Sequence, residues 1–393
     1  MSLNEMPSGV RTHIVFYGCT NVGKSSLVNK FTNQDLSIVS SKEGTTTDPV
    51  RKAMEILPLG PVVVIDTPGL DDTTALGELR IQRTQNMLLK TDIAILVVDA
   101  AKGITATDEE LIEKFKTLEI AYLIVYNKGD QAVNKDSDKI YTNALTGEGV
   151  NELREKVGHL LPESADKPLV RDLVNKGDML VLVVPIDSSA PKGRLILPQQ
   201  QVIRDALEVG AVPVVCQVDE LASTLARLGN NVKLVVTDSQ AFREVAAIVP
   251  ERTPLTSFSI LMARAKGNLI PSVKGAHVIS TITDEDVILI SEGCTHHRQC
   301  EDIGTVKLPN LIRKFTGKNP VFEFTSGGEY PQNLTKYKLI IHCGACTLTE
   351  REASGRYKLA ASQGVAITNY GIAIASMNGI LERSIKILDE RKD

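Results

Sequence analysis

The feature of this 393-residue sequence that most constrains its fold is a glycine-rich segment near the amino terminus, Gly18 to Ser25. The segment follows the pattern Gly-x-x-x-x-Gly-Lys-Ser and lies between an apolar run, His13 to Tyr17, and an amphipathic stretch. A strand, a loop of this pattern and a helix, in that order, form a phosphate-binding loop. Its backbone amides turn toward the phosphates, Lys24 reaches the β- and γ-phosphates, and the Ser25 hydroxyl ligates Mg²⁺. The segment therefore predicts an α/β domain that binds a nucleotide.

Two further motifs follow in the order that a GTPase requires. Asp66 to Gly69 ends the next apolar run, which places the Asp66 carboxylate near Mg²⁺ and the Gly69 amide near the γ-phosphate. Asn127 to Asp130 ends a later apolar run. The Asp130 carboxylate can accept hydrogen bonds from guanine N1–H and the exocyclic amine, contacts that adenine cannot make. The three motifs together predict GTP binding and hydrolysis, because a merely structural glycine turn would not be accompanied by the other two.

The polar segment between the first two motifs, Gly44 to Asp48, has the position of a switch that orders around Mg²⁺ and the γ-phosphate. Together the motifs resemble those of the Era/TrmE class of GTPases. The resemblance implies that Thr46 ligates Mg²⁺, with Thr45 as the alternative. Thr47 stands where that class carries an arginine, so the function of that arginine is not carried over.

Three other positions bear on base contact and turnover through the same resemblance. Asn143-Ala144-Leu145 resembles the guanine-contacting Ser-Ala-Lys loop, with Asn143 in place of serine. Asn21 occupies the position that helps to hold K⁺ in TrmE-like GTPases, which implies activation by K⁺. Leu70 replaces the glutamine that positions water in Ras-like enzymes, so intrinsic turnover should be slow.

The predicted GTP site falls into overlapping sets. The residues expected to bind the nucleotide and its cations are Gly18, Asn21, Gly23, Lys24, Ser25, Ser26, Asp66, Asn127, Lys128, Asp130, Ala144 and Leu145. The residues expected to act in hydrolysis are Lys24, Ser25, Thr46, Asp66 and Gly69. The expected cofactors at this site are GTP, Mg²⁺ and K⁺, with Ser25 and Thr46 as the protein ligands of Mg²⁺.

Apolar runs and amphipathic stretches alternate along the chain, which predicts an α/β fold with helices packed on mainly parallel sheets. Polar, proline-bearing stretches near Pro162 to Pro168 and Thr253 to Ser257 interrupt the alternation. The interruptions predict three α/β domains: a P-loop GTPase domain with a parallel-type sheet at residues 1–165, and further domains at 169–252 and 256–393.

Composition limits the partners and the compartment. The net charge of −4 and the pI near 6.0 give no basic face for nucleic acid. Apolar runs stay well short of the roughly 18 residues of a membrane span, and the amino terminus lacks the pattern of a signal peptide. We therefore expect a cytoplasmic protein that binds neither nucleic acid nor membrane.

Cysteines and histidines cluster in the last third of the chain. Cys294 to Glu301 and His342 to Cys346 each follow a predicted strand. Because the carboxyl ends of parallel strands meet at one edge of a sheet, the two segments can converge on one centre. Cys343 and Cys346 can present two thiolates from one turn, and Cys294 a third. This chemistry leaves zinc and an iron-sulfur cluster as alternatives and disfavours a redox pair.

These features, with the middle segment Val184 to Pro198, resemble the FeFe-hydrogenase maturation GTPases, the HydF family, over essentially the whole chain. The resemblance implies that Cys294, Cys343 and Cys346 hold a 4Fe-4S cluster whose fourth position is exchangeable. The candidates for the fourth ligand are His296, His297 and Glu301. Cys300 lies nearby without an assigned function.

The resemblance also implies a function. Members of that family act as scaffolds that receive a diiron precursor from two radical-SAM maturases and deliver it to apo FeFe-hydrogenase. It further implies that residues 169–252 form a dimerisation domain, so that the protein is a homodimer, and that residues 256–393 bind the cluster. The alternative is a ribosome- or tRNA-associated GTPase with a zinc-stabilised binding module, which the acidic composition disfavours.

Overall fold

The computed structural model describes residues 11–33, 50–69, 87–88, 90–132, 135–161, 167–186, 195–293, 303–327, 330–344 and 348–389. The chain divides into two compact units, residues 1–166 and 167–393. Both are α/β, as the alternation of apolar and amphipathic stretches predicts. Within the described ranges, no helix is long and apolar enough to cross a membrane.

The first unit is built on one sheet with the strand order β2-β3-β1-β4-β5-β6. Its strands are β1 (Thr12–Tyr17), β2 (Val50–Ile56), β3 (Gly60–Asp66), β4 (Ile93–Asp99), β5 (Ala121–Asn127) and β6 (Ile140–Thr142). Its described helices are α1 (Lys24–Thr32), α2 (Ala106–Thr117) and α3 (Val150–Gly158). Only β2 among these strands is antiparallel to its neighbour, and the prediction of a mainly parallel sheet is confirmed.

The two faces of β1 explain why its residues are continuously apolar. Successive side chains of a strand point to opposite faces. Phe16 packs edge-on against Phe31 of α1, with ring centroids 5.3 Å apart, and Tyr17 packs against Phe115 of α2 at 5.4 Å. Both faces of β1 are therefore covered by helices, and its carboxyl end is held between β3 and β4 at the point where the strand order reverses.

The second unit contains two parallel sheets, with the orders β10-β9-β7-β8 and β12-β11-β13-β14. The strands are β7 (Met179–Val183), β8 (Val212–Cys216), β9 (Val232–Thr237), β10 (Leu255–Ser257), β11 (Val287–Ser291), β12 (Val321–Thr325), β13 (Leu339–His342) and β14 (Ala366–Asn369). The helices are α4 (Leu197–Glu208), α5 (Leu221–Leu228), α6 (Phe242–Ile248), α7 (Phe258–Ala265), α8 (Leu269–His277), α9 (Leu308–Thr316), α10 (Glu350–Ser362), α11 (Tyr370–Met377) and α12 (Leu381–Asp389).

The two sheets of the second unit share part of their core. One buried cluster joins Val181 of β7 and Phe242 of α6 to Ile372 of α11 and Leu381 of α12. The burial of apolar surface from both halves stabilises them as one unit. The domain boundary between residues 252 and 256 stays a prediction. Strand β10, which begins at Leu255, pairs with β9 and so belongs to the first of the two sheets.

Candidate functional site

The predicted phosphate-binding loop connects β1 to α1, and two of its positions require glycine. Gly18 and Gly23 have φ angles of +147° and +84°, which residues with a Cβ rarely adopt. A Cβ at Gly18 would overlap the carbonyl oxygen of Val97, and one at Gly23 would overlap the side-chain amide of Asn127. Lys24 opens α1 and is buried, and its Nζ donates to the Gly18 carbonyl at 3.3 Å. The loop therefore curls around its own lysine.

The solvent side of the loop carries the remaining predicted contacts. Ser25 and Ser26 are exposed in the first turn of α1, where backbone N–H groups favour an anion. Asn21 is exposed and has a φ of +64°, a left-handed conformation that asparagine tolerates better than most residues.

Asp66 provides a test of whether the site suits Mg²⁺. It ends β3 beside Phe16 of β1. Burial raises the pKa of its carboxyl, and the hydrogen bond with Ser25 and the charges of Lys24 and Lys52 oppose that rise. Its Oδ1 is buried and finds no hydrogen-bond partner within the described residues. A carboxylate oxygen without a donor, next to a serine hydroxyl, matches the oxygen ligands that Mg²⁺ prefers. The residues present therefore fit this ion.

The second motif contacts the first directly. Thr67 Oγ1 donates to the Phe16 carbonyl at 2.7 Å, which fixes the segment to the end of β1. Gly69 lies so close to Thr20 of the phosphate-binding loop that a Cβ would overlap the threonine hydroxyl. A glycine is thus required at position 69, and its backbone is brought to the loop that holds the phosphates.

The third motif ties the base-binding segments to the phosphate-binding loop. Asn127 is 1% exposed. Its Nδ2 donates to the Val22 carbonyl at 2.9 Å, and its Oδ1 accepts from the Ala144 amide at 3.1 Å. Since one side chain joins three segments of the site, Asn127 acts through the position of the loops as well as through any contact with the base.

Lys128 takes a left-handed conformation, with φ +57°, and its Nζ donates to Asp99 Oδ2 at 2.7 Å. Burial acts to raise the pKa of Asp99, but the hydrogen bonds from Lys128 and the Ala101 amide outweigh it, so the pKa is lowered. The pair orients the lysine stem beside the base-binding segments.

Asp130, the predicted guanine-specifying residue, is exposed and is oriented by Asn143. Asn143 Nδ2 donates to Asp130 Oδ1 at 2.9 Å, while its Oδ1 accepts from the amides of Leu145 and Thr146 at 2.9 and 3.2 Å. Leu145 is 83% exposed. The asparagine at position 143 therefore both shapes its own loop and holds the carboxylate.

Several predicted residues lie outside the described part of the chain. They are Thr45, Thr46, Leu70, Cys294, His296, His297, Cys300, Glu301 and Cys346. Within the described part, no group of three or more His, Cys, Asp or Glu side chains could hold a metal ion.

Cys343 is the predicted cluster ligand that the structure describes. It follows β13, which pairs with β11 so that His342 lies opposite Ser291. The Cys343 amide donates to the Ser291 carbonyl at 2.9 Å, and the Gly293 amide donates to the Cys343 sulfur at 3.0 Å. The two strands thus bring the residue before Cys294 into contact with Cys343. An N–H group directed at a partly buried thiol sulfur is an arrangement that suits a metal thiolate.

The ring of His342 is held by hydrogen bonds within the protein. Its Nε2 lies 3.0 Å from Arg356 Nη1, and its Nδ1 lies 2.8 Å from the Cys343 carbonyl oxygen. Arginine can only donate, so Nε2 accepts and Nδ1 carries the proton that is donated to Cys343. Both ring nitrogens are therefore engaged by the protein.

Sequence reasoning missed Arg356, which bonds to both His342 and Ser291, and Glu352, which lies beside Arg356. The side chains of Arg356 and Glu352 are 4% and 9% exposed and lie 3.4 Å apart. The only signal in the sequence was a pair of opposite charges four residues apart in a helix, a pattern that is far more common on exposed faces.

The fold and the first site define a P-loop GTPase. A family model described as a 50S ribosome-binding GTPase matches residues 13–128. The chain belongs to the hydrogen maturase F family, since the dimerization-domain model of that family matches residues 169–267 and its tetramerization-domain model matches residues 271–387, together more than half of the chain.

Other similarities concern the GTPase part. The tRNA modification GTPase MnmE of Thiobacillus denitrificans is 40% identical over 148 residues, which are 37% of this chain and 32% of that protein. MnmE of Aquifex aeolicus is 34% identical over 169 residues, 40% of this chain and 37% of that protein. The chain thus spans about a third of the length of the curated relatives it matches. The structure of Aquifex aeolicus Era bound to GDP and AlF4⁻ is 21% identical, with a TM-score of 0.35, and the match covers 56% of this chain and 98% of Era.

Proposed function

We propose that the protein is a GTP-hydrolysing scaffold that binds a 4Fe-4S cluster and takes part in the assembly and delivery of the diiron subcluster of FeFe-hydrogenase. The observation that carries the proposal is the hydrogen bond from the Gly293 amide to the Cys343 sulfur. It brings the two cysteine-bearing segments together in a chain that belongs to the hydrogen maturase F family.

Each described side chain of the GTP site has a proposed task in binding or hydrolysis. The loop amides and Lys24 hold the β- and γ-phosphates, and the Gly69 amide meets the γ-phosphate. Ser25 and Asp66 would hold Mg²⁺, which when bound neutralises charge that develops on the phosphate oxygens. Asp130 selects guanine. We further propose slow intrinsic turnover and activation by K⁺ at Asn21.

The proposed protein ligands of the cluster are Cys294, Cys343 and Cys346. Thiolates bind iron strongly, whereas an imidazole or carboxylate at the fourth iron is more easily displaced. His296, His297 and Glu301 are the proposed candidates for that position. A position that can exchange suits a carrier, and the diiron unit is its cargo.

Oligomerisation is supported by the names of the matched family models, a dimerization and a tetramerization domain. We propose a homodimer as the basic assembly. Among the described strands, β8 lies at the edge of its sheet and exposes Val212 and Val215 by 44% and 47%, so the backbone groups on its outer side could pair with a second copy. The proposed partners are radical-SAM maturases and apo FeFe-hydrogenase. Thiols that ligate a metal belong in a reducing compartment, so we propose the cytoplasm.

Metal analysis tests the proposal against its alternative, a ribosome- or tRNA-associated GTPase with a zinc site. The full chain is reconstituted anaerobically with iron and sulfide, and its iron, zinc and sulfide content and its electron paramagnetic resonance are measured. The proposal requires about four irons for each chain and a 4Fe-4S signal after reduction. Full occupancy by zinc without a cluster signal would refute it.

A further inference from the structure

Arg356 is a buried cation that joins the carboxyl ends of three neighbouring strands. Its Nη1 donates to Ser291 Oγ, at the end of β11, at 3.2 Å and to His342 Nε2, at the end of β13, at 3.0 Å. Its Nη2 donates to the Gly327 carbonyl, just beyond β12, at 2.7 Å. The side chain projects from α10 and is 4% exposed. One guanidinium therefore spans the edge of the sheet from which the cysteine segments emerge.

Both strand-end residues that Arg356 holds are bonded to the backbone of Cys343. The Ser291 carbonyl accepts from the Cys343 amide at 2.9 Å, and His342 Nδ1 donates to the Cys343 carbonyl at 2.8 Å. The Cys343 peptide groups are thus fixed on both sides by residues that the arginine orients. The bond from the Gly293 amide to the sulfur then sets the direction of the thiol.

Burying a guanidinium is costly unless its donors are satisfied. Here three of the donated bonds go to the strand ends. Beyond them, Glu352 Oε1 lies 3.4 Å from Nη2, and the guanidinium lies over the Tyr330 ring at 4.8 Å. A core that needed only packing could use an apolar side chain of similar volume at this position. An arginine at position 356 is explained by its bonds to the three strand ends, which an apolar side chain could not make.

We infer that Arg356 is a positioning residue that sets the orientation and accessibility of the Cys343 thiol, acting through His342 and Ser291. The inference rests on the proposed function for its importance to the cluster, but the hydrogen bonds it is argued from join only residues of this chain.

The test uses the full chain with Arg356→Gln, which removes the charge and most of the fork, and Arg356→Lys, which keeps the charge but cannot bridge two strand ends. Arg264→Lys is the matched control, since Arg264 also joins a carboxylate, Asp172, to two backbone carbonyls, away from the cysteine segments. Alkylation of Cys343 by iodoacetamide in metal-free protein is followed by peptide mass spectrometry. Buried Cys216 serves as the internal reference.

We expect alkylation of Cys343 to be about tenfold faster in Arg356→Gln, faster by a smaller factor in Arg356→Lys, and unchanged in Arg264→Lys. Cys216 should react at one rate in all four proteins. After reconstitution, both Arg356 variants should give a shifted spin-resonance spectrum. If Arg356→Gln does not fold, as judged by circular dichroism, Arg356→Lys decides the question.

Unchanged Cys343 reactivity and an unchanged spectrum in a folded Arg356 variant would overturn the inference. A wild-type chain that takes up no cluster would instead refute the proposed function, and the alkylation rates of the metal-free proteins would still decide whether Arg356 positions Cys343.

Discussion

The side-chain amide of Asn143 donates to the Asp130 carboxylate at 2.9 Å, and the same side chain accepts two backbone amides of its own loop. The carboxylate that would pair with guanine is therefore oriented by a neighbouring side chain that its own loop holds in place. An exposed aspartate without such a partner would lose rotamer freedom on binding the base. Because Asn143 already restricts the Asp130 side chain before the base binds, the entropy lost on binding is smaller.

The first prediction concerns this pair. Asn143→Ala should weaken binding of GDP and GTP by about tenfold, because one hydrogen bond to a charged group is lost and two loop amides lose their acceptor. Titration with a fluorescent guanine nucleotide measures the effect. Asn151→Ala is the control, since Asn151 is an exposed asparagine of α3 whose side-chain oxygen accepts from Arg154. Equal affinities of the Asn143→Ala variant and the wild type would contradict the account.

The second prediction concerns Asp66, whose pKa is raised chiefly by burial. A carboxyl whose pKa is higher in the folded than in the unfolded chain destabilises the fold at pH values above both, and this effect disappears below the unfolded value. Asp66→Asn should therefore raise the melting temperature of the metal-free protein at pH 7, and the gain should shrink as the pH falls toward about 4.

The same Asp66→Asn variant should lose Mg²⁺-dependent GTP hydrolysis, since the Asp66 oxygen that has no hydrogen-bond partner among the described residues is the one offered to the ion. Thermal unfolding and phosphate release measure the two effects in one preparation. A lower melting temperature at pH 7 without Mg²⁺ would show that the charge of Asp66 stabilises the fold.

The continuously apolar strands and the nucleotide motifs were predictable because a short stretch of sequence determines each of them. Phe16 and Tyr17 belong to a continuous apolar run, and the motif glycines occupy positions where a side chain would collide. Strand β2 was not predicted, because Val50 to Ile56 mixes charged and apolar residues without a continuous apolar run. Its strand conformation depends on antiparallel pairing with β3. The burial of Lys52 on β2 was not predicted either. Its side chain is 3% exposed, and its Nζ donates to Asn29 Oδ1 at 2.6 Å.

The environment of Cys343 could be predicted only in part. The convergence of two strand ends follows from parallel pairing, which the alternation of apolar and amphipathic stretches indicates. The contacts of His342 with Arg356 depend on how α10 packs on the sheet, and nothing local marks that arginine as buried. The position of His342 next to Cys343 likewise does not reveal that its ring bonds the Cys343 carbonyl and the Arg356 guanidinium.

The third prediction separates the two halves of the protein. Lys24→Ala should reduce GTP hydrolysis by about 10²-fold or more, because the charge that faces the phosphates is removed. Cluster assembly should persist, because Cys343 belongs to a different compact unit with its own core. Phosphate release and iron content are measured on the same sample. A folded Lys24→Ala variant that fails to take up iron would show that the halves are not independent.

The fourth prediction concerns the monovalent cation. Replacement of Na⁺ by K⁺ at constant ionic strength should accelerate GTP hydrolysis by the wild type, and Asn21→Ala should remove the difference. Asn21 is exposed on the phosphate-binding loop, but alanine is less favourable than asparagine at its φ of +64°, so the substitution should lower the melting temperature slightly while the chain still folds. Equal rates of the wild type in the two salts would rule out activation by K⁺.

The central claim is that three cysteines from two strand ends hold an iron-sulfur cluster, and single substitutions test it most directly. Each of Cys294→Ser, Cys343→Ser and Cys346→Ser is reconstituted anaerobically beside Cys216→Ser, whose thiol lies at the end of β8 in the other sheet of the same unit. We predict loss of most of the iron and of the 4Fe-4S resonance in the first three and wild-type values in Cys216→Ser. Substitution of His296, His297 or Glu301 singly should leave a cluster with an altered spectrum. Full iron content and an unchanged spectrum in Cys343→Ser would contradict the claim.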